Sequence, residues 1–163
     1  MTGNPKSLTA KKLKEGRRKE PGTPPVVFET RHRVQFREID PYGHMNMAYY
    51  LLYYSDHRFE GMRTFIGLDL KDIAALDIGF HIRTVTIEYL RPIVADQEFM
   101  IRSHIAELGH GQCEVDFAMI GTDTGTDAGN KTLSTARMRI GCINKSSGRP
   151  CAWPPGLMER FYT

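Results

Sequence analysis

The sequence predicts an α+β domain in which one long helix lies against an antiparallel sheet. Three observations lead there. Residues 26–36 alternate apolar and polar positions, ending with Val34 and Phe36 two apart, as a half-buried strand does. Residues 45–66 are too long for a strand, and their first half is apolar or aromatic at almost every position: Met45, Met47, Ala48, Tyr49, Tyr50, Leu51, Leu52, Tyr53 and Tyr54. Four further strand-length segments follow, separated by short gaps. Strand, helix, then strands is an α+β order.

The elements follow in turn. After the first strand, Asp40-Pro41-Tyr42-Gly43 reads as a turn, because the residue before a proline avoids the helical region. A helix that is apolar nearly all round is expected to be buried on nearly all sides, and a sheet wrapped around it would do this. Residues 71–77 read as a short helix. Residues 80–90 carry β-branched Ile82, Val85, Thr86 and Ile87 and stop at Arg91-Pro92. Residues 98–108 form the next strand, Gly109-His110-Gly111 a hairpin turn, and 114–120 the strand beyond it. A polar loop spans 121–130, and residues 131–143 complete the set. The short gaps predict an antiparallel meander. The Gly- and Pro-rich tail from Asn144 is expected to pack over an edge.

The chain has 163 residues and a net charge of +3, which an even distribution would make weakly attractive to nucleic acid. The distribution is uneven. Residues 1–25 hold seven Lys and Arg against Glu15 and Glu20 and net +5, so the remainder nets −2. The first 25 residues read as a disordered basic leader without a secretory apolar core, and residues 26–163 as one domain. No nucleic acid partner and no membrane span are expected. Cys113, Cys142 and Cys151 form no CxxC pair, and the six histidines are scattered without ligand spacing, so neither a disulfide framework nor a metal site is expected. Reduced thiols fit a cytoplasmic protein.

Chemistry concentrates in Asp40-Pro-Tyr42-Gly43-His44-Met-Asn46-Met-Ala-Tyr49. A carboxylate stands just ahead of a helix, with a glycine between. Helix N-termini present unpaired N–H groups and partial positive charge, which could hold a developing oxyanion. Gly43 would let a ligand approach the backbone. The same field would favour an ionised Asp40, ready as base or nucleophile. Asp-Pro is equally a good cap and first-turn pair. On pattern alone both readings stand.

Asp40-x-x-Gly43-His44-x-Asn46 resembles the Asp-x-x-Gly-His-x-Asn signature of hot-dog fold thioesterases of the 4-hydroxybenzoyl-CoA thioesterase type. Further on, Ile87-Glu-Tyr-Leu-Arg91-Pro92 resembles the end of that family's strand after the helix. Leu108-Gly109 resembles its hairpin, and Ser147-Gly-Arg-Pro150 through Pro154 its C-terminal part. Ala95-Asp96 departs from the usual Gly-Asp. The resemblance spans about residues 26–157. It implies a hot-dog fold, an acyl-CoA substrate, no metal or cofactor, and a homodimer or homotetramer with the site at the interface. It implies that Asp40 is the catalytic carboxylate and that main-chain N–H groups near Gly43 and His44 form the oxyanion hole. Asn46 would orient water or substrate, Tyr42 and Tyr49 would line the acyl pocket, and Arg91 would meet coenzyme A phosphates. A noncatalytic acyl-thioester binding protein is the alternative. A hot-dog hydratase or dehydratase fits less well, because that chemistry places its Asp/His pair differently.

Two further features read as structural. His57 and Glu60 lie one helical turn apart, and Glu60 is more simply a solvated charge than a second carboxylate of the site. Trp153 reads as a pin for the tail.

Overall fold

Alternation becomes a strand at Phe28–Arg33 (β1), shorter than the pattern suggested. Beyond it the chain turns through a short 3-10 segment at Phe36–Glu38, which leaves Phe36 in solvent and Glu38 buried. The computed structural model describes residues 27–122, 130–154 and 156–157. The basic leader and most of the 121–130 loop lie outside these.

The long helix is Met47–Gly61 (α1), prolonged by a wider π turn at Met62–Ile66. Gly67 ends it in the left-handed region at φ 68°, where glycine carries no side-chain penalty. A short helix, Leu70–Ala75 (α2), is capped by Asp69, whose side chain accepts the Asp72 N–H at 2.8 Å. The remaining strands are Ile78–Tyr89 (β2), Glu98–Leu108 (β3), Gln112–Gly121 (β4) and Thr132–Asn144 (β5).

All described pairings are antiparallel, and the order in the sheet is β1-β3-β4-β5-β2. Only β3, β4 and β5 form the expected meander. β2 does not pair with β3. It lies at the far edge against β5, because the 90–97 connection crosses the molecule instead of folding back. Its backbone is bonded on the way: Leu90 and Arg91 N–H groups reach Leu133 O, Ile93 O takes the Met45 N–H at 2.7 Å, and Asp96 N–H reaches Val34 O.

The core lies between α1 and one face of the sheet. Tyr50, Tyr54 and His57 form the buried stripe of the helix, at spacings of four and three. Val34, Phe99, Ile101, Phe117, Leu133 and Met138 meet it. Polar bonds fix the helix on the sheet: Tyr54 donates to Ser134 Oγ at 3.0 Å, and the His57 ring shares hydrogen bonds with Thr30 Oγ1 at 2.6 Å and Ser103 Oγ at 2.7 Å. The opposite sheet face is charged, with Glu114 across from Arg139 and Asp116 across from Arg137 in ion-paired register.

The helix is not buried all round. Met47, Leu51 and Leu52 are exposed, Leu52 at 54%. One chain's sheet covers one side of a helix, and the apolar positions of the other side stay open. The tail crosses the end of β5 and the β3–β4 hairpin, and its Trp153 reaches the edge strand β2. Cys151 N–H bonds Cys142 O, Trp153 N–H bonds His110 O, and the Trp153 indole stacks on Phe80 at 5.7 Å.

Candidate functional site

The helix start separates two roles that the sequence left merged. Its cap is Asn46, whose side-chain oxygen accepts the Ala48 N–H at 3.0 Å. Asp40 is therefore not the cap. It lies six residues earlier, in a tight loop closed by an Ile39–Met45 bridge. Within that loop the Gly43 N–H bonds Asp40 O at 3.0 Å and the Asp40 N–H bonds His44 O at 2.9 Å. The loop returns on itself because Gly43 takes φ 78°, and a Cβ there would meet nothing within 4 Å. Glycine is needed for the backbone and not for space.

One carboxylate oxygen of Asp40 accepts the Tyr42 N–H at 2.8 Å and, at the long distance of 3.5 Å, the His44 N–H. The other oxygen has no partner among the described residues. The Asp40 side chain is thus oriented by its own turn, half-buried, with one oxygen available. The Gly43 N–H is used inside the turn. His44 N–H, only weakly engaged, is the freer main-chain donor of the two.

Two anchors hold this loop. Glu38 is buried, and its Oε2 accepts the Gln35 N–H at 3.0 Å and the Tyr53 hydroxyl at 2.7 Å. Its main-chain oxygen takes the Asn46 N–H at 2.8 Å. On the other side, the Met45 N–H is bonded to Ile93 O of the 90–97 connection, so that segment and the Asp40 loop are neighbours.

The remaining expected residues divide. Tyr42 projects into solvent at 85% exposure. Tyr49 is half-buried and packs against the core. Arg91 is exposed on the 90–97 connection, two residues from Ile93, with its main chain bonded to Leu133. Neither Tyr49 nor Arg91 shares a hydrogen bond or ion pair with the Asp40 side chain among the described residues. Glu60 is partly exposed and ion-paired to Arg63.

Tyr50 is the residue that sequence reading passed over. It is buried, and the Tyr89 ring stands edge-on to it at 4.9 Å. Burial, then the neighbouring Tyr89, then the Asp40 charge push its phenol up to about 12. Tyr50 therefore stays a neutral donor near Asp40. Its signal was present in the sequence: it lies one turn beyond the Asn46 cap and begins the 50–54–57 stripe.

Chemically, the loop offers an oriented carboxylate oxygen and a loosely held N–H, beside the partial positive charge of a helix N-terminus. That set can activate water or attack a carbonyl carbon, and can stabilise the oxygen on which charge then collects. Among the described residues no three His, Cys, Asp or Glu side chains gather as a metal site, and no helix is long and apolar enough to cross a membrane.

The family described as the thioesterase-like superfamily matches residues 34–161. Among curated proteins nothing matches. Several solved structures do. SAV2348 from Staphylococcus aureus, determined in complex with CoA, is 19% identical with a TM-score of 0.75, over 86% of this chain and 85% of its own. Slr0204, a 1,4-dihydroxy-2-naphthoyl-CoA thioesterase from Synechocystis, is 13% identical with a TM-score of 0.74, over 83% and 96%. A DHNA-CoA thioesterase from Staphylococcus aureus is 12% identical with a TM-score of 0.72, over 83% and 88%. At these identities the likeness is one of fold.

Proposed function

The chain belongs to the thioesterase-like superfamily and has the hot-dog fold, and on that premise we propose that it hydrolyses an acyl-CoA thioester with Asp40 as the catalytic carboxylate. The observation that carries this is the Asp40 side chain itself. One oxygen is held by the Tyr42 N–H and the other is open, in a loop that stands ahead of a helix N-terminus without capping it.

The open oxygen takes a proton from water as the water adds to the thioester carbonyl, or it attacks that carbon directly and the acyl group is then released by water. Either way negative charge develops on the carbonyl oxygen, where the His44 N–H and the helix N-terminus act as donors. The C–S bond breaks, and coenzyme A leaves as a thiol once protonated. Asn46 works chiefly by starting the helix at the right residue. Tyr50 lines the inner side of the site and the solvent-facing Tyr42 its rim. Arg91 is the cation of this rim that suits a phosphate of coenzyme A. The CoA-bound relative supports that carrier.

The site is completed by a second copy of the chain. β2 is a twelve-residue strand at the edge of the described sheet, and an edge strand invites pairing. Exposed Ile82, Tyr89 and Leu90 on it and just beyond it, and Met47 and Leu51 on α1, supply apolar surface for that contact. The test is thiol release from a panel of aryl- and fatty-acyl-CoAs, with molecular mass in solution measured alongside. Turnover of at least one thioester by a dimer or tetramer is expected. Tight acyl-CoA binding without turnover would favour a noncatalytic binding protein, and a monomer would remove the shared site.

A further inference from the structure

At the other end of α1 lies a cavity of about 100 Å³ between the helix and the sheet. Its wall is apolar and aromatic: Ile105, Cys113 and Phe117 from the sheet, Met62 from the helix end, and Phe80 with Trp153 closing it. It is separate from the Asp40 loop. Arg58 on its wall is twelve residues beyond the Asn46 cap, which is about 18 Å along a helix axis.

The polar side chains of this wall are His57, Arg58, Ser103 and His104. His57 and Ser103 are bonded to each other, and His57 to Thr30. Arg58 is different. Among the described residues its buried Nε has no hydrogen-bond partner, and its one side-chain hydrogen bond is a weak one from Nη1 to Met62 Sδ at 3.9 Å. The guanidinium lies over the Phe59 ring, 4.4 Å from its centre. Among the described residues no carboxylate pairs with it. Glu60, two positions on, is bonded to Arg63. Other arginines of the domain, Arg33, Arg102, Arg137 and Arg139, each hold a carboxylate. A half-buried guanidinium with an orphaned donor costs free energy that a ring face only partly offsets. A carboxylate would restore the missing partner through a charge-assisted bond.

We infer that this cavity is a second binding site, for a short aliphatic carboxylic acid whose carboxylate pairs with Arg58 and whose hydrocarbon body fills the apolar space. An apolar cavity of about 150 Å³ admits benzene, so this one suits a body of roughly four or five carbons. A free carboxylic acid is also what thioester hydrolysis releases, so the site would sense short acids of the same class as the reaction product. Occupancy does not require Asp40.

Trp153 is the chain's only tryptophan and lines the cavity, so its fluorescence reports the occupant. The full chain is titrated with 3-methylbutanoate and, separately, with 3-methylbutan-1-ol. Expected is a saturable change with the acid, little change with the alcohol, and a weakening of at least about tenfold in Arg58→Met, which keeps its fold because a half-buried cation with no carboxylate partner is replaced by an apolar chain. Asp40→Asn should bind the acid as wild type does, which separates this site from the proposed hydrolytic one. An unsaturating response, equal binding of acid and alcohol, or unchanged binding in Arg58→Met would each overturn the inference. Should Arg58→Met not fold, the acid–alcohol comparison on wild type decides it.

Discussion

The Tyr53 hydroxyl donates to Glu38 Oε2 at 2.7 Å, and this bond ties the middle of the long helix to the start of the Asp40 loop. Glu38 is buried and also accepts the Gln35 N–H, while its carbonyl holds the Asn46 N–H. One side chain thus positions the loop, the cap and the helix relative to one another. Burial and the Glu38 carboxylate raise the Tyr53 phenol well above its ordinary range, so it remains a donor.

Tyr53→Phe removes that donor and leaves a buried carboxylate with one partner fewer. A loss of about 1–3 kcal/mol in stability is expected, seen by denaturant unfolding. If Glu38 positions Asp40, kcat falls more than KM changes, because the loop and not the substrate surface is disturbed.

Gly43→Ala tests the turn alone. At φ 78° a side chain is strained, yet a Cβ would find open space, so the penalty is confined to the backbone at about 1–2 kcal/mol. Thermal melting should drop by a few degrees. Activity should fall at least about tenfold, since relaxing the turn shifts Asp40 Oδ1 and the His44 N–H together. Full activity in a folded Gly43→Ala protein would show that the turn geometry is not part of the chemistry.

Acid should destabilise the domain ahead of carboxylate titration. Burial, then the neighbouring His32, push the His57 ring down to about 4 from an ordinary 6.5. The fold favours neutral His57, so the unfolded chain binds the extra proton between those values. The stabilisation is whole above about pH 6.5 and is lost progressively as pH falls toward 4, at most about 3 kcal/mol. Denaturant midpoints from pH 7.5 to 4 check this, and His57→Gln should flatten the slope in that window.

Much of this was legible in the residues. The 26–36 alternation, the long 45–66 stretch and the late strands each gave an element within a few positions of where it stands, because local periodicity reports which face is buried. What periodicity does not report is which strand pairs with which. The 90–97 connection looks like an ordinary gap, and only its bonds to Leu133, Met45 and Val34 send β2 to the far edge. The exposed side of α1 is hidden from the sequence for a related reason. Met47, Leu51 and Leu52 read as core, whereas a single sheet reaches only the Tyr50–Tyr54–His57 side.

The candidate site is legible in the sequence as a segment and not as a set of local geometries. Asp40, Gly43 and His44 share one turn, as their spacing suggested. Asn46 is the cap that Asp40 resembled, and Gly43 shapes the backbone while its N–H is turned inward. Glu38 and Tyr50 carried no motif of their own. Glu38 is tied to the loop by a buried hydrogen bond and Tyr50 is a buried ring, features that composition and spacing do not announce.

The most direct measurement is thiol release by wild type and Asp40→Asn on the best acyl-CoA of the panel. The amide keeps the size of the side chain and its acceptance of the Tyr42 N–H, and loses the charge that activates water or attacks carbon. A folded Asp40→Asn protein that retains acyl-CoA binding and loses at least about a hundredfold in kcat is the predicted result. An Asp40→Asn protein that turns over at the wild-type rate would contradict the assignment of Asp40 as the catalytic carboxylate.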